Sequence, residues 1–83
     1  MKKIIIYTAP WCIWCQRTKK LLQDLSYEFE ERDVEKNQAW AEEMIKKTGQ
    51  MGIPVTIIID EKGNEKIVLG YDPELIKEYL KNE

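Results

Sequence analysis

The sequence of 83 residues contains no histidine, which excludes the commonest metal ligand and the Ser-His-Asp and Cys-His forms of nucleophilic catalysis. It holds only two cysteines, and its longest apolar runs, 4–7 and 57–59, are far too short to span a bilayer. No basic cluster suggests a nucleic-acid or membrane surface, and the formal net charge is -2. The two cysteine thiols are therefore the first candidates for reactive groups.

The start of the chain, Met1-Lys2-Lys3, is followed by only a short apolar run, so we expect no secretory signal. The expected compartment is a reducing cytoplasm, in which a permanent structural disulfide is rare. With 43% hydrophobic and 34% charged residues, the composition is typical of a folded globular chain. The length favours a single domain over residues 1–83, and we expect it to be a monomer.

Apolar periodicity divides the chain into alternating strands and helices. We predict strands over 3–8, 27–34, 54–59 and 65–70, and helices over 12–25, over 36–48 and from Asp72-Pro73-Glu74 onward. The first two strands are joined through a helix and should be parallel, whereas the short turn before the fourth strand should make an antiparallel hairpin. The predicted fold is an α/β fold of order β-α-β-α-β-β-α, with a four-stranded mixed sheet covered by three helices.

Both cysteines lie in the stretch Trp11-Cys12-Ile13-Trp14-Cys15, just after the first predicted strand and a short loop. Cys12 falls where the helix begins, and a helix N-terminus offers unpaired amide N–H groups and about half a positive charge. Both favour a thiolate over a thiol. Further positive potential comes from the next turns of the helix, which carry Arg17, Lys19 and Lys20.

Cys15 lies one helical turn after Cys12 and on the same face. Its neighbours in the apolar pattern, Thr18 and Leu22, should point inward, so Cys15 should be the more buried of the two thiols. We predict that Cys12 attacks a substrate disulfide. Cys15 then attacks Cys12, which releases the reduced substrate and leaves a Cys12–Cys15 disulfide. Because the spacing is close, this second step is intramolecular and has a high effective concentration.

Two other interpretations of the cysteine pair are open. A zinc site needs about four ligands, and this sequence offers two thiols and no imidazole. Carboxylates or a second chain would have to complete such a site, so we expect no metal. The other alternative is a pair of inert, buried thiols. The position of Cys12 at an exposed helix start argues against it.

Three separated stretches resemble the glutaredoxin and thioredoxin-fold redoxins, and the resemblance covers about 1–82. They are Tyr7-Thr8-Ala9-Pro10-Trp11-Cys12-Ile13-Trp14-Cys15, then Gly52-Ile53-Pro54-Val55-Thr56, then Gly70-Tyr71-Asp72. The stretch 49–55 is particularly similar to the NrdH-type redoxins, which are reduced by thioredoxin reductase. The resemblance implies a thioredoxin-like fold of the glutaredoxin type.

The resemblance also implies roles for residues beyond the cysteines. In these families the proline that matches Pro54 has a cis peptide bond and faces the cysteine pair, and the backbone of the residue at Ile53 pairs with the bound substrate. Gly70, Tyr71 and Asp72 fall on a matching substrate-binding stretch. Asp72 matches the acid that meets the amino group of glutathione, and capping of the last helix is its alternative role.

The two tryptophans beside the cysteines, Trp11 and Trp14, are interpreted as an apolar docking surface for a partner protein. Some family features are missing. Ala9 stands where many glutaredoxins carry a lysine that helps to hold a glutathione carboxylate. Glutaredoxins also often have two glycines before the last helix, whereas this chain has only Gly70 there. The glutathione groove is thus only partly present.

The expected function is a small thiol–disulfide oxidoreductase, an electron carrier for disulfide-containing protein substrates. It needs no bound cofactor, and either thioredoxin reductase or glutathione is its electron donor. One alternative is a glutathione-dependent glutaredoxin or a glutathione-bridged iron–sulfur carrier, which the absence of proline at Ile13 favours. A second alternative is a binding module that has kept the fold without the activity.

Overall fold

The strands and helices follow one another in the order that the sequence predicts. The computed structural model describes residues 2–81, so Met1 and residues 82 and 83 of the predicted domain lie outside the described residues. The elements are β1 (Lys3–Thr8), α1 (Ile13–Asp24), β2 (Glu30–Asp33), α2 (Gln38–Thr48), β3 (Val55–Ile59), β4 (Glu65–Leu69) and α3 (Pro73–Lys81). Across residues 2–81, no helix has the length and apolar character needed to cross a membrane.

The strands form one mixed sheet in the order β2-β1-β3-β4, which confirms the predicted fold. β1 pairs with β2 in parallel and with β3 antiparallel, and β4 completes an antiparallel hairpin with β3. In this register Tyr7 lies opposite Val55, and Val55 lies opposite Leu69. The end of β1 therefore meets the start of β3 and the end of β4 at the same end of the sheet.

Helices cover both faces of the sheet, because successive side chains of a strand point to opposite sides. One face packs against α1 and α3 in a cluster of Ile4, Leu22, Ile58, Val68, Ile76 and Leu80. The other face packs against α2 in a cluster of Ile5, Tyr7, Met44, Val55 and Ile57. Each large aliphatic side chain buried in this way contributes about 1.5–3 kcal/mol.

The second strand is shorter than predicted: it spans Glu30–Asp33 rather than 27–34. Ser26 has a positive φ of 64°, and the N–H of Tyr27 still donates to a carbonyl in the last turn of α1. Tyr27 and Phe29 pack against the α1–α3 cluster instead of continuing the strand. Their alternation with acidic residues therefore reflects core packing, and the predicted start of the strand was wrong.

The other boundaries differ by one or two residues, within the usual spread for element ends. Side-chain caps explain the later start of two helices, since Cys12 is the N-cap of α1 and Asn37 is the N-cap of α2. Gly49 ends α2 with a left-handed φ of 73°, a conformation that glycine adopts readily at a helix C-terminus. Pro54 and Gly70 fall just outside β3 and β4 rather than inside them.

A hydrogen-bonded cluster links β1, β2 and α2. The hydroxyl of Tyr7, which is fully buried, donates to the carboxylate of Glu43, and the guanidinium of Arg32 donates to the same carboxylate oxygen. Burial and the hydrogen bond to Glu43 raise the pKa of Tyr7 to about 12. The Tyr7 phenol therefore stays neutral at a pH where a phenol in the unfolded chain ionises.

We expect Tyr7→Phe to lower the free energy of unfolding at neutral pH by about 1.5–3 kcal/mol, the net contribution of one hydrogen bond to a charged group. The unfolded phenol ionises near pH 10. Folded Tyr7 keeps its proton to about pH 12. Between about pH 10 and about pH 12, ionisation of Tyr7 therefore stabilises the unfolded wild type and not the folded one, and Tyr7→Phe lacks this effect. The advantage of the wild type over Tyr7→Phe should therefore be full below about pH 10 and shrink above it. Urea unfolding of both proteins between about pH 8 and 11 measures the difference. A difference that does not change with pH would contradict the raised pKa.

Candidate active site

The two cysteines lie at the end of the sheet where β1 finishes. After β1 the chain makes a tight turn, in which the N–H of Cys12 donates to the carbonyl of Ala9 at 3.2 Å, and then enters α1. Pro54, just before β3, and Gly70, just after β4, belong to the same end of the sheet. All three sequence motifs are thus brought to one end of the fold.

Cys12 caps α1 through its sulfur. Its backbone is extended, with φ -89° and ψ 108°, and its Sγ accepts a hydrogen bond from the backbone N–H of Cys15 at 3.1 Å. This N–H is one of the donors that the start of a helix leaves unpaired, and the positive end of the helix dipole lies at the same place. The Cys12 sulfur is therefore the acceptor that completes the first turn of α1.

Cys12 is less accessible than its place at a helix start predicts. Only 6% of its surface is exposed, compared with 0% for Cys15. The sulfur turns towards the amide of Cys15 instead of out into solvent, and this corrects the expectation of an exposed thiol. The expected ranking is confirmed, since Cys15 is the more buried. Cys12 is therefore open to solvent only through a small part of its surface.

Cys15 is held as a neutral thiol. Burial raises the pKa of Cys15 well above its ordinary value, and a hydrogen bond with the Cys12 thiol raises it further. The backbone N–H of Ala9 and the charge of Lys19 act in the opposite direction without offsetting these effects. Both cysteines are free thiols. The two sulfurs are therefore close in space but differ in environment.

Two of the basic side chains of α1 are paired with carboxylates. The Nζ of Lys19 lies 2.9 Å from Glu31 Oε2, and that of Lys20 lies 3.3 Å from Asp24 Oδ1. The hydroxyl of Thr8 also donates to Glu31, at 2.7 Å. Burial opposes ionisation of Glu31, but the hydrogen bonds from Lys19 and Thr8 outweigh it and lower its pKa. These carboxylates reduce the positive potential that the sequence predicts around the cysteines.

A groove of about 300 Å³ runs beside α1 and is lined by five of the predicted site residues. They are Trp14, Ile53, Pro54, Gly70 and Tyr71. The Ile53–Pro54 peptide bond is cis, the form that the resemblance implies. The N–H of Gly70 donates to the carbonyl of Pro54 at 2.8 Å, which fastens the end of β4 to the start of β3. The φ of Gly70 is 76°, a conformation that favours glycine.

Aromatic side chains form one wall of this groove. The rings of Trp14 and Tyr71 stack with their centroids 5.5 Å apart, and the guanidinium of Arg17 lies 4.8 Å from the centre of the Trp14 ring. Trp14 is 49% exposed, as the sequence predicts. The contact between Arg17 and Trp14 was not predicted from the sequence, although their spacing of three on a helix is a signal for it.

Two predicted site residues, Trp11 and Asp72, lie outside the lining of the groove. Trp11 is 70% exposed, and its indole N–H donates to the carboxylate of Glu35 in the turn after β2. The Oδ1 of Asp72 accepts the N–H of Leu75 at 3.1 Å, so Asp72 caps α3. Nothing in the sequence pattern points to Glu35.

No group of three or more histidine, cysteine, aspartate or glutamate side chains within residues 2–81 is arranged to hold a metal ion. Structural zinc sites and iron–sulfur clusters are typically held by four ligands. Either group would therefore need ligands from beyond the described residues in addition to Cys12 and Cys15.

Known proteins are similar to this chain in sequence and in fold. Glutaredoxin 3 of Escherichia coli strain K12 is 38% identical over 58 residues, which is 70% of this chain and 70% of that protein. A glutaredoxin from Archaeoglobus fulgidus superposes with a TM-score of 0.83 at 25% identity, over 99% of this chain and 89% of its own. The Escherichia coli NrdH-redoxin, described as a glutaredoxin-like protein with a thioredoxin-like activity profile, superposes with a TM-score of 0.77 at 26% identity, over 92% of each chain.

The family model named Glutaredoxin matches residues 4–63. This segment contains both cysteines, the whole of α2 and the cis Ile53–Pro54 bond. The similarity to the solved structures extends over nearly all of the chain and so includes β4 and α3. The chain belongs to the glutaredoxin family.

Proposed function

We propose that this protein is a thiol–disulfide oxidoreductase that carries electrons to protein disulfides by dithiol exchange through Cys12 and Cys15. The observation that carries the proposal is the capping hydrogen bond from the Cys15 amide to the Cys12 sulfur, with the buried Cys15 thiol one turn behind it. Membership of the glutaredoxin family supports the same chemistry. The proposal includes a single domain over residues 1–83 that works as a monomer in a reducing cytoplasm.

In the first step, the Cys12 thiolate attacks one sulfur of the substrate disulfide. A Cys12–substrate S–S bond forms, the S–S bond of the substrate breaks, and the other substrate sulfur departs as a thiolate. The amide of Cys15, which donates to the Cys12 sulfur, and the N-terminus of α1 lie at the atom that reacts. Cys12 is therefore the nucleophile.

In the second step, Cys15 resolves the mixed disulfide. Its proton passes to the departed substrate thiolate, and its sulfur then attacks Cys12. The Cys12–Cys15 disulfide forms, and the second substrate sulfur leaves and takes a proton from solvent. The protein dithiol has been oxidised and the substrate disulfide reduced, with two electrons transferred. The raised pKa of Cys15 keeps it from acting as the first nucleophile.

The groove beside α1 provides the surface that holds the substrate chain. The backbone at Ile53 and the side chains of Pro54, Trp14 and Tyr71 contact the segment around the substrate cysteine, and Gly70 lets the chain approach closely. Exposed Trp11 extends this apolar surface on the other side of Cys12. The Oδ1 of Asp72 caps α3 through the amide of Leu75, and the carboxylate keeps further acceptor sites for the amino group of a bound substrate.

A thioredoxin reductase is the electron donor that the residues favour over glutathione. Ala9 is only 2% exposed and offers no cation at the position where glutaredoxins commonly bind a glutathione carboxylate. The structural similarity to an NrdH-redoxin with a thioredoxin-like activity profile supports the same assignment. After each cycle, this donor would return two electrons to the Cys12–Cys15 disulfide.

Replacement of the resolving cysteine should trap the intermediate. We expect Cys15→Ser to accumulate a mixed disulfide between Cys12 and a protein substrate, because the intramolecular attack is lost. Disulfide turnover should fall on the order of a hundredfold or more. Non-reducing electrophoresis and mass spectrometry of the trapped species identify the bond. Cys12→Ser is the matched control and should form no such adduct. Adducts through Cys15 in that variant would reverse the assigned roles.

The electron donor can be tested with the oxidised protein and two reducing systems. We expect fast NADPH consumption with thioredoxin reductase and slow consumption with glutathione and glutathione reductase, because Ala9 cannot bind a glutathione carboxylate. A variant with both cysteines changed to serine gives the background of each system. Fast turnover with glutathione alone would show that the protein is a glutathione-dependent glutaredoxin.

The docking role of Trp14 can be separated from the chemistry. We expect Trp14→Ala to raise the KM for a protein partner about tenfold, the typical effect of truncating a tryptophan at an interface centre. Reduction of a small disulfide such as hydroxyethyl disulfide should change much less. Trp40→Phe, at the α2 cluster on the other face of the sheet, is the control and should leave both values near wild type. An unchanged KM in Trp14→Ala would rule out docking through this ring.

A further inference from the structure

Arg17 differs from the other basic residues of α1 in its contacts. Lys19 and Lys20 are each paired with a carboxylate, Glu31 and Asp24 respectively. Among residues 2–81 no salt bridge joins Arg17 to a carboxylate, and its recorded contact is the face of the Trp14 ring. The positive charge of Arg17 is therefore available to a partner.

Arg17 stands at the end of the groove. The groove shares Tyr71 with a second, open depression of about 350 Å³, lined by Arg17, Lys20, Leu21, Asp24 and Tyr71. The charges of Lys20 and Asp24 offset each other within this depression. A segment that follows the apolar groove past Tyr71 would therefore meet Arg17 as the one cation without a paired carboxylate among the lining residues described.

A guanidinium stacked on an aromatic ring is suited to binding a carboxylate. The guanidinium lies 4.8 Å from the centre of the ring, and its five N–H donors can still bond to another group. Those donors match the two oxygens of a carboxylate. The Trp14 ring also restricts the side chain, so less conformational freedom is lost on binding than with a free lysine. An acidic side chain is therefore the complementary group.

We propose that Arg17 selects disulfide-bearing protein segments that carry an aspartate or glutamate close to the cysteine. This inference rests on the proposed function, since it names the class of substrate that Cys12 would attack. Arg17 is five residues beyond Cys12, about 7.5 Å along the helix axis. An extended segment advances about 3.3 Å per residue, so the acidic residue lies roughly two or three positions from its cysteine.

The test uses short peptides whose single cysteine forms a disulfide with neutral 2-thiopyridine. Reduced protein is mixed with each peptide, and release of the thione gives the second-order rate constant without any reductase. The peptides carry glutamate, glutamine or lysine two or three positions from the cysteine, on its N-terminal side in one set and on its C-terminal side in another.

In at least one set we expect the glutamate peptide to react about three- to fivefold faster than the glutamine peptide at low salt. The ratio should approach one at high salt, because added ions screen the pair. Arg17→Gln should abolish the ratio, so that the glutamate and glutamine peptides react at equal rates. Arg17→Glu should invert the preference in favour of lysine. Lys46→Gln removes one positive charge from α2, on the other face of the sheet, and should behave as wild type.

Equal rates for the three peptides in both sets would overturn the inference while leaving the proposed function intact. An equal loss of rate for all peptides in Arg17→Gln would also overturn it, since Arg17 would then act only by holding Trp14. Absence of thione release from every peptide would instead count against the proposed function.

A glutathione–thiopyridine disulfide is included as well. If Arg17→Gln changes the rate with this compound and with none of the peptides, Arg17 binds glutathione, and the proposed selection of protein segments is wrong.

Discussion

The hydrogen bond from the backbone amide of Cys15 to the sulfur of Cys12 joins the start of α1 to the chemistry of the site. A helix must satisfy the amides of its first turn, and here a sulfur atom does so. The same contact turns Cys12 inward and sets the position of Cys15 one turn behind it. Fold and reactivity at this end of the sheet therefore depend on one interaction, and neither cysteine has a purely structural or purely chemical role.

The sheet determines what surrounds this interaction. β1 is a central strand, so the turn after it emerges between its neighbours, next to the start of β3 and the end of β4. The bond between Gly70 and Pro54 holds those two ends together. The groove is thus formed by three segments that are distant in sequence and anchored in regular structure. The walls of the groove are thus already in place, and a segment that binds there would need little ordering of the protein.

The order of elements, the mixed four-stranded sheet and the place of the cysteines at the start of α1 were predictable, because burial and helix capping leave local patterns in the sequence. The strand order and the pairing of β1 with β3 were not predicted. Contacts between distant polar residues were not predictable. Lys19 meets Glu31 across 12 positions and Trp11 meets Glu35 across 24, and many acidic residues in the sequence could have served equally well. The inward turn of Cys12 was missed for a related reason, since a pattern of residue types does not specify the direction of one side chain.

The placement of α2 has a practical consequence. α1 and α3 share one face of the sheet, and α2 lies alone on the other. Its outer surface is separated from the thiols by the full thickness of the sheet and carries exposed residues such as Glu42 and Lys46. A fluorescent label, an affinity tag or immobilisation chemistry attached there would leave the groove and both cysteines clear. The protein could thus be fixed to an electrode or a bead with its redox centre facing the solution.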